Sequence, residues 1–218
     1  MRLRYWFKES LTVIVASVGG SALYTFLMWL SDMDFGDDSP LFMGLIYLCC
    51  FGGFMGLIMN IAAHSQHLPT ALSFGSTRKE AMVGMQIFRL LPALIIAILS
   101  TVLFIIYEGQ FQAKYLLIGV LSLAVSLILG TWGSFIGIAG HSHNKKAVAA
   151  AVIIGILVLA VSIVVIVMEI ISSDPGTFFD SLFSSSAFPW ALGLIPVALY
   201  GISLIFEKKA IDTCSVKL

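Results

Sequence analysis

The chain has 218 residues, 59% of them hydrophobic and 11% charged, with a mean hydropathy of +1.02. A water-soluble domain is closer to half apolar and a quarter charged, so a soluble globular fold is excluded and an integral membrane protein is indicated. Twelve basic and twelve acidic residues cancel, leaving none of the basic excess that marks a nucleic-acid partner.

Crossing a hydrocarbon core of about 30 Å takes roughly 20 apolar residues in a helix. Six stretches meet that measure, at 11–30, 41–63, 87–107, 115–139, 147–168 and 189–206. A β-barrel would need strands that alternate apolar and polar residues, and runs such as "AVAAAVIIGILVLAVSIVVIVM" do not alternate. Ahead of the first span, "MRLRYWFKES" sets Tyr5, Trp6 and Phe7 among Arg2, Arg4 and Lys8, the pattern of an interfacial helix. The apolar run that follows is too long for a cleaved signal and ends in no A-x-A-like site, so it is read as retained. The second span carries Cys49 and Cys50 and the G-x-x-x-G pair Gly52 and Gly56. With Cys214 as the third cysteine, a disulfide framework is not expected.

Between the second and third spans lies "HLPTALSFGSTRKEAMVG". Pro69 suits the first turn of a helix and Gly75 the left-handed position that ends one, which predicts a helix of under two turns over 70–74. Thr77 and Glu80 match the S/T-x-x-E capping box and open a second helix leading into the third span. The resulting elbow is expected to expose Leu68, Leu72 and Phe74 in the basic setting of Arg78 and Lys79. A helix so short is unstable alone in water; it must lie on lipid, fold back on its bundle or dock into another protein.

The third span begins close to Arg89, and Pro92 and Pro196 are expected to kink or end helices. In the fourth, Ser122, Ser126, Gly130 and Ser134 recur every four residues beside Gly133 and Gly137. Such stripes, like Gly52 and Gly56, either pack the bundle internally or contribute to a dimer interface. After the fifth span, Asp174 and Pro175 can open a short helix with Phe178, Phe179, Leu182 and Phe183 on one side. The histidines form two pairs, His64 with His67 and His141 with His143, whose spacing is no strong metal signature; interfacial or solvated imidazoles are expected.

Arg2, Arg4, Lys8, Arg78, Lys79, Arg89, Lys145, Lys146, Lys208, Lys209 and Lys217 all fall in one set of loops. The other set holds Lys114 against Asp32, Asp34, Asp37, Asp38, Glu108, Asp174 and Asp180, so both termini are predicted to be cytoplasmic. No ionisable residue is placed in the central part of any span, which argues against an ion-coupled carrier or proton relay. H-E-x-x-H, G-x-S-x-G and Walker motifs are all missing from the sequence, so the chain is not expected to be an enzyme by itself.

The stretch "LPTALSFGSTRKEAMVGMQI" resembles the equivalent loop of small bacterial ABC-2-type permeases, the membrane subunits of ATP-binding-cassette exporters. Their L-P-x-A-[LI]-S-x-G-x-[ST]-R-[KR]-E-like pattern is occupied by Leu68, Pro69, Ala71, Leu72, Ser73, Gly75, Thr77, Arg78, Lys79 and Glu80, with Thr70 and Phe74 between them. The resemblance implies a single all-α membrane domain over 1–218, with six transmembrane helices and both termini cytoplasmic. It also implies an N-terminal interfacial elbow helix, a coupling helix seated in a groove of an ATPase subunit, and an outer gate of short helices before the last span. The chain departs from larger members in lacking an ATPase segment and a large outer domain. It would bind no cofactor itself, with ATP and Mg²⁺ on the partner ATPase, and would pair with a second permease copy in the bacterial plasma membrane. A cavity lined by apolar groups and hydroxyls suits an amphipathic peptide or lipid-like cargo. The alternative is a non-transporting membrane interaction or immunity protein.

Overall fold

A computed structural model describes residues 2–30, 40–109, 111, 116–141 and 188–213. These form helices α1 (Arg2–Leu30), α2 (Pro40–Ala62), a π turn (Ala63–His67), α3 (Leu68–Ser73), α4 (Arg78–Glu108), α5 (Leu116–His141) and α6 (Phe188–Thr213). Four segments are long and apolar enough to cross a membrane: Leu3–Leu30, Gly44–Ser73, Arg78–Tyr107 and Leu116–Gly140. The described chain is therefore a helical membrane-spanning bundle. The predicted span at 147–168, the outer-loop residues Phe178, Phe179, Leu182 and Phe183, and His143 and Cys214 lie outside the described residues.

Helices α2, α4 and α5 pack on one another, with α1 against α2 and α4 and with α6 chiefly against α5. Small residues set the spacing. A Cβ added to Gly133 would sit 2.2 Å from the Leu57 carbonyl oxygen, one on Gly137 2.9 Å from His64 Cβ, and one on Gly52 2.7 Å from Ile96 Cδ1. With lipid on the outside as apolar as the side chains within, such close backbone approach holds the helices together through dispersion and polar contacts. Ser122, Ser126, Gly130 and Ser134 of α5 are buried in the same packing, as is Gly52, while Gly56 is half-buried. Ser122 Oγ lies 3.4 Å from Ser100 Oγ, which lies 3.4 Å from Cys49 Sγ. Both stripes thus face the interior of this chain.

The N-terminal segment is not a separate interfacial helix. Residues 2–30 form one helix of 29 residues, about 43 Å long, so its first turns extend beyond what a hydrocarbon core requires. No Gly or Pro interrupts it before Gly19. Side-chain packing also holds the first turns in line: Trp6 is buried, a Cβ on Gly84 would fall 2.2 Å from its ring, and Tyr5 OH lies 2.5 Å from His67 Nδ1. Further along, the buried Ser10 and Ser17 donate their hydroxyls to the Trp6 and Val13 carbonyls at 2.8 Å, which satisfies them without water.

One apolar cluster joins Trp6 of α1, Leu68 and Ala71 of α3, Ala81, Met85 and Phe88 of α4, and Ile211 of α6. The start of α1, the elbow, the start of α4 and the end of α6 therefore share one end of the bundle. Exposed Arg4, Lys8, Arg78, Lys79 and Lys208 belong to the same segments, so the charge asymmetry read along the chain gathers in space.

Candidate functional site

The elbow begins as a continuation of α2. Through the π turn the Leu68 N–H donates to the Ala63 carbonyl, five residues back. Pro69 has no N–H, and its ring would collide with the carbonyl four residues earlier in a regular helix; a widened turn accommodates both defects. His67 keeps helical angles of φ −71° and ψ −38°. Pro69 thus stands in the first turn of α3, as expected, with the helix over Leu68–Ser73 rather than 70–74 and joined to α2 through the π turn.

Its end is built as the residues suggest. Gly75 has φ 78°, its N–H donates to Leu72 O at 2.9 Å, and the Ser76 N–H donates to Ala71 O at 3.0 Å, the paired bonds of a Schellman motif. Thr77 N–H then donates to Glu80 Oε2 at 2.8 Å while Glu80 N–H donates to Thr77 Oγ1 at 3.2 Å, closing the capping box that starts α4. The reversal from α3 to α4 is thus hydrogen-bonded on both sides.

The elbow's apolar face is a correction to the sequence reading. Leu68 is 1% exposed, Ala71 is buried and Leu72 is half-buried, all packed into the cluster around Trp6 and Phe88, whereas Phe74 is 80% exposed. Of the three fates open to so short a helix, it takes the fold back onto its own bundle. Burial of Leu68 and Ala71 against α1, α4 and α6 supplies the stability that six residues alone lack. Pro69, Thr70 and Glu80 are half-buried; Ser73, Gly75, Thr77, Arg78 and Lys79 are exposed beside Phe74.

Behind the elbow lies what the sequence reading left out. Arg89 and Glu207 are 3% and 0% exposed and form an ion pair, Arg89 Nη2 donating to Glu207 Oε1. Arg89 Nη2 also donates to Ser134 Oγ of α5, Nη1 to Ser203 Oγ of α6 at 2.9 Å, and Nε to Asn60 Oδ1 of α2 at 3.2 Å. Glu207 Oε2 accepts from Gln86 Nε2 at 2.7 Å, and Gln86 Oε1 accepts from Tyr200 OH at 2.7 Å. The Tyr200 ring centre lies 5.4 Å from the guanidinium carbon, within cation–π range. Taking two charges out of water is tolerated only when their remaining donors and acceptors are also satisfied, and this network does so across four helices.

Arg89, expected near the start of the third span, and Glu207, just past the end of the last, are thus buried in helices that extend beyond those bounds. Hydropathy places the third span's start near Arg89, but the capping box starts α4 at Arg78, putting Arg89 about three turns inside the helix. Similarly α6 runs past the predicted end of the last span to Thr213, carrying Glu207 with it. The available signal was periodicity: Gln86 and Arg89, and Tyr200, Ser203 and Glu207, recur at helical spacing in otherwise apolar runs. Among the described residues no three His, Cys, Asp or Glu side chains converge on a metal position. His64 is buried beside Gly137, and His67 meets Tyr5.

Comparison with protein-family models, with curated proteins and with solved structures finds no match.

Proposed function

We propose that the chain is the membrane-spanning permease subunit of an ATP-binding-cassette exporter, coupled to a separate ATPase and paired with a second permease copy. The observation that carries this reading is the elbow. A short helix closed at its C-terminal end, with the capping box of α4 just beyond, sets Phe74, Arg78 and Lys79 outward, while its inner face packs with Trp6, Phe88 and Ile211. A push on such a bracket would pass into the bundle through these buried contacts. In this reading the basic end is cytoplasmic, the elbow is the coupling helix, ATP and Mg²⁺ bind the partner, and the cargo is an amphipathic peptide or lipid-like molecule.

Co-purification with candidate ATPases tests it. The wild-type chain should retain an ATPase and alter its ATP hydrolysis, and Phe74→Asp should abolish both. Failure of every candidate to bind, or binding indifferent to Phe74→Asp, sinks the proposal. The second reading, an interaction protein without transport, draws on the burial of Leu68 and Ala71. That burial leaves the partner-facing side of the elbow small, and an ATPase that binds but whose turnover never responds to the chain would favour it.

A further inference from the structure

Pro92 sits inside α4, so the Phe88 carbonyl lacks its donor four residues on. Both residues line a cavity of about 10 Å³ between α1, α2, α4 and α5, together with Asn60, Arg89 and Ser126. Ser126 is 4% exposed, and its hydroxyl has no hydrogen-bond partner among the described residues. This sets it apart from Ser10, Ser17 and Thr101, which donate to carbonyls of their own helices. Asn60 uses one Nδ2–H on Gly56 O at 2.7 Å, and an amide nitrogen carries two. The space is about that of one water molecule, and a buried water needs two to four polar partners.

We propose that a resident water molecule occupies this cavity, accepting from Ser126 Oγ–H and donating to the Phe88 carbonyl, to which Pro92 offers no N–H. Asn60 and Arg89 supply further donors at its edge. A bridging water re-forms its bonds as the groups around it move, whereas a helical N–H is fixed to its own backbone. Pro92 separates the elbow-bearing turns of α4 from its longer remainder, and a water there would leave that junction free to adjust. This inference does not depend on an ATPase partner.

X-ray radiolytic footprinting of the full chain in lipid nanodiscs tests it, because radicals formed from a bound water oxidise the side chains beside it. Phe88 and Met85 are both 2% exposed, but only Phe88 lines the cavity. In the wild-type chain Phe88 should be oxidised and Met85 spared, although methionine is the more reactive side chain. Ser126→Val fills the space and removes the hydroxyl, and Pro92→Ala returns a donor to the Phe88 carbonyl. Each should lower Phe88 oxidation to the level of unirradiated protein while Met85 stays unmodified. Should Ser126→Val unfold, Met85 oxidation will rise and Pro92→Ala alone decides. Phe88 unmodified in the wild type, or equally modified in the folded variants, overturns the proposal.

Discussion

The elbow and the ion-pair core lie side by side at one end of the bundle but are held by different means. The elbow's ends are closed by hydrogen bonds between near neighbours, Ala71 with Ser76 and Thr77 with Glu80. The core behind it joins Asn60, Arg89, Ser134 and Glu207, residues far apart in sequence on four helices. Each cap is an independent contribution of modest size. The network is cooperative, because removing any charged member strands another inside a medium that cannot solvate it.

The sharpest way to break that contrast is to strand one charge. Arg89→Met or Glu207→Leu alone should destabilise the chain by about 3–5 kcal/mol, whereas the double variant should recover most of the loss. Thermal denaturation in detergent reads both, and single variants as stable as wild type would show that the pair is not desolvated. Next in size is helix spacing. Gly133→Ala drives a methyl into the Leu57 carbonyl, and overpacking of this kind costs typically 1–3 kcal/mol; an unchanged melting temperature would mean that α2 and α5 separate freely.

The elbow's own bonds come below these. Thr77→Ala should cost about 1 kcal/mol through loss of the cap, visible as faster amide exchange over the first turn of α4, and the effect should add to that of Gly133→Ala because the sites share no partner. Smallest for stability is Phe74→Asp, within about 0.5 kcal/mol as for other exposed positions. Its melting curve should overlay that of the wild type even where partner binding is lost, which keeps the functional test free of misfolding.

The same contrast explains how much was legible in the sequence. Gly75, Thr77 and Glu80 announce their roles because a left-handed turn and a capping box are decided within four residues, and the structure holds them as read. The membrane-spanning helical class was legible from hydropathy alone. Leu68 was misjudged because its burial depends on Trp6 and Ile211, from opposite ends of the chain. The Arg89–Glu207 pair went unread because hydropathy marks where apolar runs begin and end, near 87 and 206, while the helices continue wherever a charge finds a partner. Pro69 stands in the first turn of α3, as proline's preference suggests; the π turn that joins α3 to α2 is a backbone adjustment no residue type announces.

That π turn also sets the aim of everything beyond it. A regular helix turns by about 100° per residue, so deleting a residue from the body of α2 would swing Leu68 and Ala71 away from Trp6 and towards open surface. The wide turn holds slack, like a screw with one thread let out. Removing its exposed Ser65 would draw the slack in, return the turn to ordinary helical pitch, and leave the elbow pointing where it does now.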